Sequence, residues 1–364
     1  MLSQFPCPIC QGETWETFQR FSYFDHEHLK PAPWIINRIL TAIFKLTWFF
    51  SVLAWPHIRK VGSSRFSLNA YSCLRRRVLF EIWHLGKKRV EVTADLCLNC
   101  GFVATNPRPQ EVDLAKKYSF LTKMTANPNS TKSLPHIFNV TRNARCRQIF
   151  EVVKKHQGKK KLEVLDYGGG NGSMLQPFLD DGHNCFVADY YDGQIPGVVK
   201  IANDWNDFPK GKLFDVILCN HVLEHVCNPL EVIKKLGSIL KEGGVLFAEV
   251  PLEVWAGIPI EKEPVTHINF FTHDTFQSMF EIATYSILES KVQERTIMPS
   301  TIEVSWILAG NFAGGATKIS RSCLSATRGR LKPSRLWTLR RLWKIDLQPR
   351  MRNTLKIILP FKEC

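Results

Sequence analysis

The feature that most constrains the fold is an apolar stretch that ends in an acidic residue and a glycine-rich turn, Val164-Leu165-Asp166-Tyr167-Gly168-Gly169-Gly170-Asn171-Gly172. Glycine adopts positive φ angles and lacks a Cβ, so backbone N–H groups can close onto a ligand at the carboxyl end of a parallel strand. Dinucleotide sites read G-x-G-x-x-G or A, whereas here the glycines alternate and Ser173 follows them. The pattern indicates a nucleotide-type cofactor site, and it favours S-adenosylmethionine over a dinucleotide.

The residues that follow repeat the strand and helix order of a doubly wound sheet. Further strands are predicted at 183–189, 197–201, 214–220 and 245–250, and a helix is predicted at 229–240. The stretch 214–220 is continuously apolar, as expected of a strand buried on both faces. We therefore expect an α/β fold with a doubly wound, Rossmann-like sheet.

Two positions after these strands suit the ends of an adenosine. Asp189 ends the second strand, 23 residues after Asp166, where a carboxylate can accept both ribose hydroxyl protons. Asn203, Asp204 and Trp205 follow the third strand and combine polar groups with an aromatic face, which suits the edge and face of adenine.

The whole series of motifs resembles a class I S-adenosylmethionine-dependent methyltransferase over residues from about 160 to 290. In order, the chain shows D-x-G-x-G-x-G, the acidic strand end, F-D-x-I, L-E-H and L-K-x-G-G. The resemblance implies S-adenosylmethionine as cofactor. It also implies that the methionine and ribose lie on Gly168, Gly170 and Gly172. Asp189 would bind the ribose hydroxyls, and Asp204 and Trp205 would bind the adenine. The residues that border the sulfonium would be Asp166, Asn220 and His221.

One competing motif lies inside this region. His221, Glu224 and His225 match the H-x-x-E-H pattern of inverted zinc metallopeptidases. That pattern belongs on a long helix of a peptidase fold, whereas here it directly follows the fourth strand of a glycine-rich α/β unit, so the sequence disfavours a peptidase. We expect Glu224 in the first turn of a helix, where the macrodipole stabilises a carboxylate.

Two pairs of cysteines have the spacing of a zinc knuckle. The chain has 11 cysteines and no visible secretory signal at its start, which indicates reduced thiols. Cys7 and Cys10 form one C-x-x-C pair, Cys97 and Cys100 form another, and four thiolates suit a structural Zn²⁺. The 86 residues between the pairs add roughly 1 to 2 kcal/mol of loop-closure cost, so they do not exclude a shared ion. The alternative is two unrelated pairs, one of them redox-active.

The cysteine pairs, followed by Asn106-Pro107-Arg108-Pro109 and Tyr118, resemble the zinc-containing N-terminal region of bacterial methyltransferases that act on sugars and polysaccharides. The stretch 263–272 is similar to the E-H-x-x-x-F segment of the same family, in which the histidine is the expected general base. This resemblance implies a glycan or lipid-linked glycan acceptor, methylated on a hydroxyl or a carbon, and it assigns the base to His267. Because Thr266 stands where the family has glutamate, a role of His267 in ordering its loop is the alternative, and His225 and Tyr118 are lesser candidates for the base.

Basic charge is concentrated in two segments. The chain has a formal net charge of +15. Residues 26–90 contain 12 Lys and Arg against two acidic residues, and residues 316–364 contain 13 against two, so the rest of the chain is mildly acidic. A catalytic domain that gripped nucleic acid would more often carry the basic residues itself. Nucleic acid is therefore a less favoured partner.

The first basic segment contains an apolar stretch at 34–55 whose charged residues are Arg38 and Lys45. With Asn37 and Thr41 they form a polar stripe at helical spacing, which favours a helix lying in the membrane interface. A buried or dimer-forming helix and a membrane span are the alternatives. We expect an anionic membrane surface as partner, and a cytoplasmic location peripheral to the inner face of the membrane.

Together these observations predict three regions. Residues 1–120 form a zinc-knuckle module interrupted by a basic, hydrophobic insertion at about 25–92, residues 121–310 form the methyltransferase domain, and residues 311–364 form a basic helical appendage. The predicted function is methyl transfer to a glycan. An RNA methyltransferase and a non-catalytic membrane-surface scaffold on a methyltransferase fold are the alternatives, and nothing in the sequence indicates the oligomeric state.

Overall fold

A computed structural model describes residues 5–25, 75–125, 136–158, 161–254, 264–297, 300–311 and 322–331. Eleven strands are described: β1 Trp15–Phe24, β2 Arg89–Cys97, β3 Val103–Asn106, β4 Glu163–Tyr167, β5 Asn184–Ala188, β6 Val198–Ala202, β7 Phe214–Asn220, β8 Leu240–Pro251, β9 Asn269–Phe270, β10 Tyr285–Ile297 and β11 Ser300–Asn311. Six α-helices are described: α1 Glu111–Thr125, α2 His136–Lys154, α3 Gln176–Asp180, α4 Pro229–Ser238, α5 His273–Ile282 and α6 Ser322–Leu331. A π-helical turn covers Arg77–Trp83 and a 3₁₀ turn covers Ser173–Leu175.

The larger sheet has seven strands in the order β10-β11-β8-β7-β4-β5-β6. Strands β8, β7, β4, β5 and β6 pair in parallel, and β11 joins antiparallel to β8 and to β10. The first six residues of β7 are buried, which agrees with its apolar run. The predicted doubly wound, Rossmann-like fold is therefore confirmed.

Helix α4 shows how the sequence sets an element boundary. Asn228 caps its first turn by accepting a hydrogen bond from the Glu231 backbone at 3.1 Å, and Pro229 occupies the first helical position. The apolar side chains of Leu230, Ile233 and Leu236 are buried. The helix ends at Ser238, two residues before the predicted end, because Leu240 already pairs with Phe214 as the start of β8.

The prediction of a helix around Glu224 is wrong. Residues 221–227 form turns, with the His225 N–H donating to the Val222 carbonyl at 2.9 Å, and the helix begins only at Pro229. The cap and proline at 228–229 supply a stronger helix start than any residue of the H-x-x-E-H motif. The zinc-peptidase geometry, which needs that motif on a helix, is absent from this part of the chain.

The smaller sheet is antiparallel and has the order β1-β2-β3-β9. Its last strand comes from the predicted methyltransferase region, since Val103 pairs with Phe270 and Ala104 pairs with Asn269. The Phe102 and Phe271 rings pack with centroids 5.4 Å apart beneath this junction. The sheet therefore crosses the predicted domain boundary near residue 120.

The predicted interfacial helix at 34–55 and most of the basic appendage at 311–364 lie outside the described residues. Within the described ranges, no helix is long and apolar enough to cross a bilayer. Of the arginines at 75–77, Arg76 pairs with Asp25 at 2.6 Å and with Glu81 at 2.9 Å, and Arg77 pairs with Glu81 at 3.2 Å.

Candidate active site and cysteine cluster

A cavity of about 590 Å³ lies between α1 and the carboxyl ends of the parallel strands. Open α/β sheets bind their ligands at this edge. Five of the residues predicted to bind the cofactor line it: Gly168, Asp189, Asp204, Trp205 and His221. Tyr118, Tyr190 and His225 also line it, whereas Asp166, Gly170, Gly172 and Asn220 are not among its lining residues.

The glycine-rich turn after β4 has little room for side chains. Gly168 has a φ of 74° and donates its N–H to the Ala188 carbonyl at 2.8 Å, and a Cβ there would lie 2.4 Å from the Val222 side chain. Gly172 has a φ of 76°, and its Cβ would lie 2.8 Å from Val198. Only glycine fits both the conformation and the space at these positions.

Asp189 is held at the cavity wall by two backbone donors. The Gly170 N–H donates to Oδ2 at 2.9 Å, and the Tyr191 N–H donates to Oδ1 at 2.7 Å. A carboxylate has about four acceptor sites, so each oxygen retains capacity for a further donor. This geometry fits recognition of the two ribose hydroxyls of S-adenosylmethionine.

Aromatic surfaces surround the predicted adenine end. The Tyr190 hydroxyl donates to Asp204 Oδ2 at 2.6 Å, and the Tyr190 ring stacks on Tyr118 with centroids 5.6 Å apart and planes 6° from parallel. Trp205 stacks on Phe208 at 5.2 Å. A flat purine fits such surfaces, with Asp204 available to its polar edge.

Asp166 and Asn220, near the ends of the central strands, have buried side-chain atoms without partners among the described residues. Neither Asp166 Oδ2 nor either amide atom of Asn220 has a hydrogen-bond partner there. Burial raises the pKa of Asp166 to about 7. Buried polar atoms of this kind are normally satisfied, so their position at the ends of β4 and β7 fits a polar ligand group such as that of the methionine part.

His221 occupies a strained position between two buried carboxylates. Its φ of 56° is uncommon for a residue with a side chain. Nδ1 donates to Glu224 Oε1 at 3.1 Å, and Nε2 lies 3.3 Å from Glu249 Oε1. Burial lowers the pKa of His221, but the hydrogen bonds with these two carboxylates outweigh burial and raise the pKa to about 9.

Glu249 is fully buried and is also paired with two arginines. Arg145 from α2 lies 2.7 Å from Oε1, and Arg295 from β10 lies 2.9 Å from Oε2. The sequence analysis missed this network, because its members are far apart in the chain and no spacing links them. The network connects α2 and β10 to His221 at the cavity wall.

A second array joins His225, His267 and Glu253. His225 lines the cavity, and its Nδ1 donates to the Thr266 carbonyl at 2.6 Å. Its ring lies 4.7 Å from the ring of His267, whose Nδ1 donates to Glu253 Oε2 at 2.5 Å. Glu253 therefore supplies the carboxylate that Thr266 does not, from 14 residues upstream.

The four predicted zinc ligands form one cluster. Their sulfur atoms lie within 4.8 Å of one another, with Cys7 to Cys100 at 3.6 Å and Cys10 to Cys97 at 3.5 Å. Four thiolates around Zn²⁺ at about 2.3 Å have similar spacings. Crowding with the neighbouring thiols, Cys10 first, raises the pKa of Cys100, so a cation is needed for all four to ionise. The cluster is compatible with a zinc-knuckle module.

The cluster is built into the core rather than attached to it. Cys7 and Cys97 pack in the same apolar cluster as Phe271 and Phe276 of the methyltransferase region. Gly101 turns the second knuckle with a φ of 77°, and a Cβ there would lie 2.8 Å from the backbone of Cys323 in α6. Helix α6 therefore packs directly on this knuckle.

Comparison with known proteins shows which family the region around the parallel strands resembles. The family model described as "Methyltransferase domain" matches residues 139–290. The chain is 29% identical over 114 residues to the ubiquinone biosynthesis O-methyltransferase of Rickettsia akari, covering 28% of this chain and 45% of that protein. It is 31% identical over 121 residues to the tRNA 5-carboxymethoxyuridine methyltransferase of Escherichia coli K12, covering 29% and 46%. The chain thus spans about half the length of these relatives.

Among solved structures, the N-methyltransferase NodS of Bradyrhizobium japonicum WM9 in complex with S-adenosyl-L-homocysteine matches with a TM-score of 0.39. The identity is 14%, and the match covers 53% of this chain and 97% of that one. The family match and the site geometry lead to the same identification. Residues 139–290, which contain the parallel strands, match a methyltransferase domain, and together with the cavity at the strand ends this match supports S-adenosylmethionine as the cofactor.

Proposed function

We propose that the chain transfers the methyl group of S-adenosylmethionine to a hydroxyl oxygen, or a carbon, of a glycan or lipid-linked glycan. The observation that carries this proposal is the array of His225, His267 and Glu253 beside the cofactor cavity. The two cysteine pairs support the carbohydrate acceptor, because the same pairs occur in the sugar methyltransferases that the N-terminal region resembles.

The cofactor brings an activated methyl group on its sulfonium, so the chain's own residues must align the acceptor and remove one proton. Alignment is worth up to roughly 7 to 11 kcal/mol, and a positioned base adds about 10² to 10⁴-fold. His267 is the proposed base. Glu253, bonded to Nδ1, fixes the tautomer in which Nε2 carries the lone pair.

The test of this role is the His267→Ala variant. We expect its turnover to fall by at least about 10²-fold while affinity for S-adenosylmethionine is retained. The matched control is His156→Ala, since His156 also bonds a glutamate, Glu289, but on the outer surface. A loss of turnover similar to that of the control would instead assign His267 to ordering its loop.

We also propose that Cys7, Cys10, Cys97 and Cys100 hold one structural Zn²⁺. Support comes from the sulfur spacing and from the amide of Gly12, which points at Cys10 Sγ at 3.4 Å as knuckle amides do. The ion would hold the start of the chain against β2 and takes no part in the chemistry.

The remaining proposals concern where the chain meets its acceptor. A cytoplasmic enzyme attached to the inner face of the membrane through residues 34–55 would meet lipid-linked acceptors there. Flotation with anionic and neutral liposomes tests the attachment: equal binding to both, or binding that survives deletion of residues 31–60, contradicts it.

A second candidate function is RNA methylation, which the 31% identity to a tRNA methyltransferase over 121 residues favours. A methyl-transfer screen over sugar nucleotides, lipid-linked sugars and RNA separates the two candidates. Labelling of RNA alone overturns the glycan proposal, and labelling of none of them favours a scaffold role.

A further inference from the structure

Three side chains, one of which lines the cavity, have their ligand atoms close together. Glu224, His225 and His267 each offer one atom, and these atoms lie within 4.8 Å of one another. Two imidazoles and one carboxylate form the ligand set of many sites for Zn²⁺, Fe²⁺ and Mn²⁺. An ion about 2.1 Å from each atom would hold the three atoms roughly 3.4 Å apart, so binding would draw the more distant of them together.

The groups that hold the two histidine rings match those found behind the histidines of metal sites. Metal-binding histidines donate their other ring N–H to a carboxylate or a backbone carbonyl, which fixes the tautomer. His267 donates Nδ1–H to Glu253, and His225 donates Nδ1–H to the Thr266 carbonyl. In both rings, Nε2 is then the nitrogen that carries the lone pair.

The carboxylate is positioned in the same way. Glu224 is fully buried, and its Oε1 accepts from His221 Nδ1 at 3.1 Å. Its Oε2 has no hydrogen-bond partner within the described residues, although a buried carboxylate oxygen without a partner is costly. Glu224 Oε1 lies 3.8 Å from His225 Nε2, and a cation held by this carboxylate beside the ring would lower that cost.

Backbone bonds hold the two segments of the cluster in register. The Glu224 carbonyl accepts from the N–H groups of Ile268 at 2.9 Å and Asn269 at 3.2 Å. The Asn269 side chain donates to the Leu223 and Val226 carbonyls, both at 2.7 Å. The ligands are therefore prepositioned without the ion, which lowers the ordering cost of binding it.

We propose that Glu224, His225 and His267 bind one divalent metal ion at the edge of the cofactor cavity. Three protein ligands leave coordination positions open, and because His225 lines the cavity, those positions lie next to the bound cofactor and acceptor. The site takes an acceptor with two neighbouring oxygen atoms, such as a vicinal diol of a sugar, which can chelate the ion.

This proposal rests on the proposed methyl transfer and changes how the acceptor loses its proton. A hydroxyl bound to the ion releases its proton to water at neutral pH. Its oxygen then forms the new C–O bond as the S–C bond breaks, yielding the methyl ether and S-adenosylhomocysteine. In the loaded site, His267 uses its Nε2 lone pair for the ion, so the ion replaces direct proton transfer to His267.

The test uses Mn²⁺ as the probe, followed by electron paramagnetic resonance on the full chain. Mn²⁺ prefers nitrogen and oxygen ligands, so the four-cysteine cluster does not compete for it. We expect one Mn²⁺ per chain, with binding lost in His225→Gln, His267→Gln and Glu224→Gln and retained in His156→Gln. Absence of a bound Mn²⁺, or full retention in all three ligand variants, overturns the proposal.

A fourth variant guards against misfolding of the ligand variants. Glu253→Gln leaves all three ligands in place and should weaken Mn²⁺ binding about 10- to 100-fold. Unchanged binding would count against a role of the Glu253–His267 hydrogen bond in holding the metal ligand. The readout is independent of turnover. If methyl transfer proceeds with S-adenosylmethionine after Mn²⁺ binding has been disproved, the metal proposal fails and the proposed function stands with His267 as the direct base.

Discussion

The two sheets of this protein are stabilised in different ways. The larger sheet is buried between helices, and Val164, Leu165 and Ile217 in its parallel strands are fully inaccessible to solvent. The smaller antiparallel sheet has a mostly half-buried strand in β1, takes its fourth strand from the methyltransferase region and has the four-cysteine cluster at one end.

The difference shows which sheet buries enough apolar surface to be stable without a metal ion or a packing partner. A doubly wound sheet buries enough apolar surface to support itself, whereas a small sheet with an exposed face commonly needs a metal ion or a partner. Here Phe102 packs against Phe271, and the four-cysteine cluster, which is the proposed zinc site, brings Cys7 and Cys10 against Cys97 and Cys100 at the end of β2. The four predictions that follow separate these contributions.

Loss of the cysteine cluster should have the largest effect. Structural zinc sites contribute on the order of 10 kcal/mol to the folding of the segments they join. In Cys97→Ser we expect loss of the bound zinc and unfolding of the smaller sheet, measured by elemental analysis and by amide hydrogen exchange of β1 and β2. Cys227→Ser is the control, since Cys227 donates to the Pro109 carbonyl away from the cluster. Full zinc content in Cys97→Ser would show that the cysteines do not share an ion.

Arg108 tests the junction between the two sheets. Its guanidinium donates to the Ile268 carbonyl at 3.2 Å, and to the Cys227 carbonyl and Asn269 Oδ1, both at 2.7 Å. Arg108→Met leaves three acceptors without this donor, and we expect a loss of about 3 kcal/mol in the free energy of unfolding. Urea unfolding measures it, with the exposed Arg147→Met as control. A loss below about 0.5 kcal/mol would mean that the junction does not depend on these bonds.

Lys117 tests the same junction through pH. It is 5% exposed and donates to the Val265 carbonyl at 2.7 Å, and burial lowers its pKa to about 8. Between pH 8 and 10.5 the unfolded chain binds a proton at this lysine that the folded chain does not, so stability rises with pH across this window. Below pH 8 the buried charge costs up to about 3 kcal/mol.

The matched variant is Lys117→Met, which removes the titrating group. We expect the stability of the wild type relative to this variant to improve steadily from pH 7.5 to 9.5, as measured by urea unfolding at each pH. A difference that does not change with pH would mean that Lys117 titrates normally.

Much of the larger sheet is predictable from local sequence, because each strand and turn is encoded within a few residues. The strand at 214–220 coincides with β7, and Asp189 follows β5 as expected. The four-cysteine cluster is also predictable, since C-x-x-C spacing sets the geometry of each half. Glycine spacing identified the turn that closes on Asp189.

The contacts missed by sequence analysis depend on tertiary structure. Glu253 meets His267 from another segment, and Glu249 gathers Arg145 and Arg295 from elements far apart in the chain. No spacing rule links such residues. The helix expected at Glu224 followed from the methyltransferase resemblance, and it is wrong because the helix start lies at Asn228 and Pro229. The strand pairing of β3 with β9 likewise has no local signal.

The central claim is that the larger sheet binds S-adenosylmethionine through Asp189, the acidic residue that follows β5. Isothermal titration calorimetry of the full chain with S-adenosylmethionine and with NAD⁺ tests this claim most directly. We predict one S-adenosylmethionine per chain and about 1.5 to 3 kcal/mol weaker binding in Asp189→Ala. Binding should be unchanged in Asp192→Ala, where the neighbouring exposed aspartate pairs with Lys200 instead. Unchanged affinity in Asp189→Ala, or tighter binding of NAD⁺ than of S-adenosylmethionine, would contradict the account.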